Sequence, residues 1–188
     1  MRALSASLLL LALLTGALPA QAALVPAAYR AAILLRSLGY ERGILAGKGD
    51  VVVVVLQGAD KGSQADAREM MTILSALAAR MSLGDRKVQV RSHQHATVND
   101  TLKALNALAP SALYFAAGLE ELAGQLGAAV DRAHWVPMCA DGVRLGAGCV
   151  LAVRTHESSS QLVVDLARAK RAGLSFDARL LRLAQVLQ

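Results

Sequence analysis

Residues Val51–Gln57 form the run VVVVVLQ, and this run decides the fold class. A strand with one exposed face would alternate apolar and polar residues, so an unbroken β-branched run predicts a strand that is covered on both faces. Polar residues and glycine bound the run on either side, in Lys48–Asp50 and at Gly58. A strand covered on both faces needs helices above and below its sheet, which predicts a three-layer α/β domain.

Helices are predicted on either side of this strand along the chain. Ala23–Leu38 has the pattern of a first helix, and Tyr40–Asp50 is a polar connection from it into the strand. Beyond the strand, the apolar residues between positions 67 and 81 recur at i, i+3 and i+4 spacing, which is typical of one helical face. Ser63, with Asp66 three residues later, is predicted to cap the start of this second helix.

Extended and helical patterns then alternate. Strands are predicted at Lys87–Arg91 and Ser111–Ala117, and further helices begin at Thr97 and near Leu119. Strands that alternate with helices in this way predict right-handed βαβ crossovers, and therefore a mostly parallel sheet.

The pattern changes after Trp135, where short extended segments are separated by glycine-rich turns. Strands are predicted over Trp135–Cys139, Cys149–Val153 and Gln161–Asp165, followed by two short helices that Gly173 separates. These segments indicate an antiparallel C-terminal extension. The fold class predicted is therefore α/β in three layers, with a mixed, mostly parallel sheet flanked by helices.

The N-terminal residues have the three parts of a signal peptide. Arg2 supplies a positive start, Leu4–Ala17 is almost wholly apolar, and Ala20–Ala22 has the small-x-small form of a signal peptidase site. An uncleaved membrane anchor is the alternative, but the run is shorter than the roughly 20 residues that a spanning helix needs. We expect residues 1–22 to be removed, leaving residues 23–188 as a single exported domain in the periplasm.

The overall charge and composition limit the classes of partner. The formal net charge is +6, and aromatic residues make up 3% of the chain. A basic protein suits nucleic acid, an acidic partner or a membrane surface. Export argues against nucleic acid, as does the lack of aromatic platforms on which bases stack. Two functional explanations of the basic charge remain, an acidic partner and a membrane surface. The alternative is that the arginines serve only solubility.

The chain contains two cysteines, Cys139 and Cys149. An exported protein with two cysteines favours a disulfide. Turn-forming glycines lie between them, so the two residues are placed on neighbouring strands or across a turn, within bridging reach.

The exit of the valine strand is a candidate binding site for a small ligand or anion. Gly58, Lys61 and Ser63 precede or begin a helix, where free N–H groups, a lysine and the helix dipole would suit an anion. The spacing is not that of a Walker A loop. Ordinary turn chemistry between a strand and a helix explains the same residues.

His93 and His95 follow the second strand at the same sheet edge. On a continued strand both imidazoles would point the same way, as a metal pair requires, but no third ligand is evident, so no metal is predicted. The chain also lacks a Gly-x-Ser-x-Gly motif and any acid pair at informative spacing around Asp141 or Asp165. We therefore predict a protein that is not an enzyme and has no cofactor.

The C-terminal segment Val163–Val186 carries a more specific pattern. It comprises a short strand, an alanine-rich helix, the step Gly173-Leu174, and then the run Leu180–Ala184. This closing segment resembles that of the YfiR-like family of bacterial periplasmic proteins. The signal peptide and the first helix, which leads through Leu35–Tyr40 into an apolar strand, are similar to the same family.

The resemblance implies a regulator that works through a partner. The namesake of the family represses a membrane-bound diguanylate cyclase by binding its periplasmic part. We expect a non-enzymatic regulator or sensor that contacts an inner-membrane signalling protein such as a diguanylate cyclase or a histidine kinase, and so acts on cyclic-di-GMP signalling. A second copy of the chain, in a homodimer, is a further candidate partner. The candidate partner surface consists of five basic residues: Arg168, Lys170, Arg171, Arg179 and Arg182. The alternative is that these residues only form a solvated face of the protein.

A second hypothesis comes from a different class of protein. The carboxyl edge of the sheet, near Gly58–Ser63, His93 and Gly118, would bind a small ligand or an anion. In this respect the chain resembles one lobe of a periplasmic solute-binding protein, although it is too short for two lobes.

Overall fold

A computed structural model describes residues 25–140, 145, 148–156 and 159–188. The predicted signal peptide, together with Asp141 and the turn residues Gly142 and Gly146, lies outside these residues. The helices are α1 (Ala27–Leu38), α2 (Arg42–Ala46), α3 (Lys61–Ala78), α4 (Val98–Leu108), α5 (Glu120–Ala133), α6 (Leu166–Arg171) and α7 (Ala178–Leu183). The strands are β1 (Val51–Gln57), β2 (Ser82–Leu83), β3 (Arg86–Gln94), β4 (Ala112–Phe115), β5 (Val136–Cys139), β6 (Leu151–His156), β7 (Ser159–Asp165) and β8 (Gln185–Leu187).

The strands form one sheet in the order β2-β3-β1-β4-β5-β6-β7-β8. The valine strand β1 pairs in parallel with β3 on one side and with β4 on the other, so that Val54 faces Arg91 and Leu113. β4, β5 and β6 are also parallel to one another, whereas β7 is antiparallel to β6. The predicted α/β fold with a mixed, mostly parallel sheet is confirmed.

The first strand is covered on both faces, as its sequence predicts. Val53, Val54, Val55 and Leu56 are all fully buried, although successive side chains of a strand point to opposite faces. α1 packs on α3, and α4 packs on α5. The buried face of α1 carries Leu34, Leu35 and Leu38, and α1 also contacts β6 and β7.

The C-terminal extension differs from the prediction in where it begins. Both strands that follow Trp135, β5 and β6, remain parallel to the strands before them, and Met138 faces Leu151. Within the C-terminal part of the sheet, the antiparallel direction begins with β7, and β8, which was not predicted, runs parallel to β7. The short helix α2 also lies within the predicted connection, where the Glu41 carboxylate caps it by accepting the Ile44 N–H at 2.6 Å.

The predicted disulfide is present. Cys139 ends β5 and Cys149 lies two residues before β6, with their Cα atoms 5.8 Å apart. Both residues are buried, so the bridge links the end of β5 to the residues just before its parallel neighbour β6. Such bridges are typical of proteins that fold in oxidising compartments.

Replacing both cysteines by alanine is expected to lower the free energy of unfolding by about 2–3 kcal/mol, because the unfolded chain loses the constraint of a short closed loop. Urea unfolding with and without dithiothreitol measures this effect. The reductant should destabilise the native protein and leave the Cys139→Ala/Cys149→Ala variant unchanged. Equal midpoints for the oxidised and reduced native protein would contradict the expectation.

Among the residues described, no helix combines the length and apolar character needed to cross a bilayer.

Candidate functional site

The connections of β1 and β4 diverge at the carboxyl edge of the sheet. The chain leaves β1 through α3 towards β3, and it leaves β4 through α5 towards β5 on the opposite side. In open α/β sheets, a crevice forms where neighbouring strands send their connections in opposite directions, and ligands bind there. A binding site is therefore expected at the loops after β1 and β4.

A buried ion pair lies beneath this crevice. Arg30 of α1 donates through Nη2 to Asp66 Oδ1 of α3, and the two side chains are 5% and 12% exposed. Asp66 Oδ2 accepts from the Tyr114 hydroxyl of β4 at 2.9 Å and from the Ala117 N–H at 3.1 Å. Three elements and the loop after β4 thus meet on one carboxylate.

The tyrosine of this cluster is held in its neutral form. Burial raises the pKa of the Tyr114 hydroxyl well above its ordinary value, and the Arg30 charge opposes this only in part. The Arg30 guanidinium lies over the Tyr114 ring, 5.9 Å from its centroid. Tyr114 therefore remains a donor to Asp66 across the physiological pH range.

One N–H group of Arg30 is buried without a hydrogen-bond acceptor among the described residues. Arg30 Nη1 reaches the Ala140 carbonyl at 3.5 Å, but the buried Nε–H has no partner in the described part of the chain. A buried donor without an acceptor carries the full cost of its lost hydration. This orphaned donor belongs to a residue that lines a cavity.

A cleft of about 500 Å³ opens above the ion pair, between the starts of α1 and α5 and one side of α3. Its apolar lining is formed by Val25, Pro26, Ala27, Ala65, Ala117 and Ala140. Its charged lining is formed by Arg30, Asp66, Glu69 and Glu120. The cleft is large enough for a small organic ligand, since such sites occupy about 300–1,000 Å³.

A family model for YfiR/HmsC-like proteins matches residues 28–185, almost the whole chain. The chain belongs to the YfiR/HmsC-like family. No curated protein has significant sequence similarity to it.

Solved structures of bacterial proteins share the fold of this YfiR/HmsC-like chain. The "ABC domain in complex with L-Trp" from Streptococcus pneumonia superposes with a TM-score of 0.61 at 9% identity, over 86% of this chain and 62% of that one. CD0873 of Clostridium difficile, described as a substrate binding protein with adhesive properties, gives 0.55 at 8% identity, over 73% and 54%. A conserved domain protein from Vibrio cholerae gives 0.60 at 14% identity, over 87% and 60%. The chain thus spans less than two thirds of each, and these likenesses establish the fold alone.

The YfiR/HmsC-like chain uses the predicted anion-binding groups internally. Asp60, not Ser63, caps α3, so the predicted cap was wrong by three residues. Its carboxylate accepts the Ser63 N–H at 2.8 Å, while the buried Ser63 hydroxyl accepts the Gly58 N–H at 2.8 Å. Lys61 is exposed on the first turn. An external anion would meet the Asp60 carboxylate where the sequence suggested free N–H groups.

The two predicted histidines lie at the same edge of the sheet in different surroundings. His93 is half-buried near the end of β3, and its Nε2 has no partner within the described ranges. His95 follows the strand, and its Nδ1 lies 2.8 Å from the Thr101 hydroxyl of α4. Within the described part of the chain, no three histidine, cysteine or acidic side chains are grouped as a metal site requires.

The five predicted partner-binding residues do not share one environment. Arg168 is buried and bonds to Asp131 of α5, and its Nη2 lies 3.4 Å from the Gly127 carbonyl. This arginine fastens α6 to α5 and is not available on the surface. Arg179 is exposed, but it lies 3.0 Å from Asp177 and over the Tyr40 ring.

Lys170, Arg171 and Arg182 remain exposed, and we call them the C-terminal basic surface. None of the three forms an ion pair within the described ranges. Leu183, next to Arg182, is 74% exposed, the most of any large apolar side chain described.

Acid is expected to weaken the start of α7 through Asp177. Hydrogen bonds from the Arg179 side chain and N–H lower the pKa of this carboxyl. A lowered pKa means that the ionised group stabilises the fold above the usual carboxyl pKa of about 4, and that this contribution is lost as the pH falls through the lower value of the folded state. Melting temperatures measured from pH 5 to pH 2 should fall less steeply for Asp177→Asn, which keeps a capping oxygen without the charge. Superimposable profiles would contradict this role.

Reasoning from the sequence missed the cluster beneath the cleft. The spacing from Ser63 places Asp66 in a helix cap, and Arg30 lies within the pattern of the first helix. One signal was present, because Arg30 lies four residues before Leu34, on the face that α1 buries. Tyr114 stood out only as part of an apolar strand.

Proposed function

We propose that this protein is a non-enzymatic periplasmic regulator that acts by contacting an inner-membrane signalling protein, such as a diguanylate cyclase. The observation that carries the proposal is the family match over residues 28–185, because the family is one of regulators and not of catalysts. The Cys139–Cys149 bridge is consistent with an oxidising compartment.

The C-terminal basic surface supplies a candidate contact. Its three cations are exposed and unpaired among the described residues, so a partner can use them without first breaking an ion pair of this chain. Complementary charge mainly steers association and selects the partner. Leu183, which directly follows Arg182 in α7, can supply the apolar burial that gives such a contact lasting affinity.

The test is complementation in the source bacterium. Deleting the gene should change the cellular level of cyclic-di-GMP, and the native protein should restore it. The variant Lys170→Glu/Arg171→Glu/Arg182→Glu should be exported and folded but should fail to restore the level. It should also lose the cross-link to an inner-membrane protein that we expect the native chain to form.

The matched control is Lys61→Glu/Lys103→Glu, which reverses two exposed charges on α3 and α4 and should behave as the native protein does. An unchanged cyclic-di-GMP level in the deletion strain, or full restoration by the triple variant, would overturn the proposal.

A second candidate function, binding of a small ligand at the carboxyl edge of the sheet, is favoured by one observation. The cleft lies at the point where the connections of β1 and β4 diverge, and a buried, incompletely bonded arginine lines it. A regulator that senses a solute would use such a site.

A further inference from the structure

We infer that the cleft above the Arg30–Asp66 ion pair binds a small organic amine that carries a neighbouring oxygen acceptor. The ammonium group would be bound by Glu69 and Glu120, and the oxygen would accept from Arg30. This inference rests on the ligand-binding function proposed above and is independent of the contact with a signalling partner.

The charges that line the cleft select a cation. Arg30 and Asp66 neutralise each other, and both oxygens of Asp66 are already engaged by Arg30, Tyr114 and Ala117. Glu69 and Glu120 remain, and neither has a cationic partner among the described residues. The only recorded contact of Glu120 within those residues is a long one, from the Gly118 N–H at 3.4 Å. The cleft thus carries two uncompensated carboxylates in a chain whose net charge is +6, and concave walls of one sign concentrate ions of the other.

The orphaned donor of Arg30 specifies the second group of the ligand. The Arg30 side chain is 5% exposed and lines the cleft, and its Nε–H has no acceptor among the residues that the structure describes. A guanidinium group only donates hydrogen bonds, so it must be met by an oxygen or another acceptor. A hydroxyl or carbonyl oxygen close to the ammonium group would satisfy Arg30, while the ammonium group faces the two glutamates.

The remaining walls of the cleft determine the size and polarity of the rest of the ligand. The starts of α1 and α5 and the side of α3 contribute small apolar residues, such as Ala27, Ala65 and Ala117. Small side chains leave room for an apolar body of the size of one ring in a cleft of about 500 Å³. An inorganic anion is a poor occupant, because the Glu69 and Glu120 carboxylates that line the cleft would repel it.

Four probes with the same aromatic body separate these requirements. They are L-phenylalaninol, 2-phenylethylamine, 3-phenylpropionate and 2-phenylethanol, each titrated calorimetrically at pH 7 into the protein purified from the periplasm of an expression host. We expect L-phenylalaninol to bind most tightly, 2-phenylethylamine at least threefold more weakly, and the acid and the alcohol not to bind at millimolar concentration. Raising the salt concentration should weaken the binding of both amines.

Two variants connect the binding to the cleft. Glu69→Gln/Glu120→Gln should lower the affinity for L-phenylalaninol at least tenfold while the melting temperature of the free protein stays unchanged. Glu121→Gln is the matched control, since Glu121 lies beside Glu120 but outside the cleft and bonds to Gln125 at 3.1 Å; its affinity should equal that of the native protein. Binding of 3-phenylpropionate without the amines would overturn the ligand class and leave a ligand site in place. Binding of none of the probes, or equal affinity in the double variant, would overturn the assignment of the cleft to amines.

Discussion

Replacing Asp66 by alanine is expected to lower the free energy of unfolding by about 3–5 kcal/mol, because it leaves the buried charge of Arg30 without its counterion. The same change removes the acceptor of the buried Tyr114 hydroxyl and of the Ala117 N–H. A domain of this size has a total stability of about 5–15 kcal/mol, so a large share is lost. Urea unfolding followed by circular dichroism measures the shift of the midpoint.

Two further variants separate the ion pair from a general effect on α3. Glu69→Ala removes an exposed carboxylate one turn later on the same helix and should change stability by no more than about 0.5 kcal/mol. Arg30→Met/Asp66→Ala removes both charges and keeps an apolar stem, so it should be more stable than Asp66→Ala alone. The single variant Arg30→Met completes the cycle, and strict additivity of the Arg30→Met and Asp66→Ala effects would show that Arg30 and Asp66 do not stabilise each other.

The second large effect is expected for Gly148→Ala. A Cβ atom at this position would lie 2.5 Å from the Ala123 carbonyl oxygen and 2.7 Å from its carbon, both in the backbone of α5. The φ angle of +123° adds strain for any residue with a side chain. Overpacking of about 1–3 kcal/mol and backbone strain of similar size together predict a loss of roughly 2–6 kcal/mol, measured by the same unfolding experiment.

Gly49→Ala separates the two causes. Gly49 also has a positive φ, +73°, but a Cβ atom there would meet nothing within 4 Å. The loss should be that of the backbone conformation alone, about 1–2 kcal/mol. Equal losses for the two variants would show that the close approach of Gly148 to α5 costs nothing.

The central layer of the fold could be predicted from local sequence because its causes are local. An unbroken valine run specifies a strand buried on both faces, and two cysteines separated by turn residues specify their bridge. The direction of β6 could not be predicted in this way. The connection from β5 to β6 contains no predicted helix, so a return in the opposite direction was the simpler expectation.

The candidate site depends on long-range contacts that no spacing reveals. Arg30 and Asp66 are 36 residues apart, and Asp66 and Tyr114 are 48 apart. Each residue has a plausible local explanation, as part of a helix, a cap or a core strand. Their shared role exists only once α1, α3 and β4 are packed together. The N-cap of α3 is similarly ambiguous from sequence. Asp60 and Ser63 are both favourable capping residues, and only the backbone conformation determines which one caps the helix.

The packing of α1 has a consequence for the order of folding. This helix is made early in synthesis, yet it contacts β6 and β7, which lie more than a hundred residues later. Until those strands emerge, the leucines on its inner face, such as Leu34 and Leu35, have only part of their final covering. Incomplete chains therefore expose an apolar surface on this helix. We expect that surface to bind chaperones and to promote aggregation at high expression.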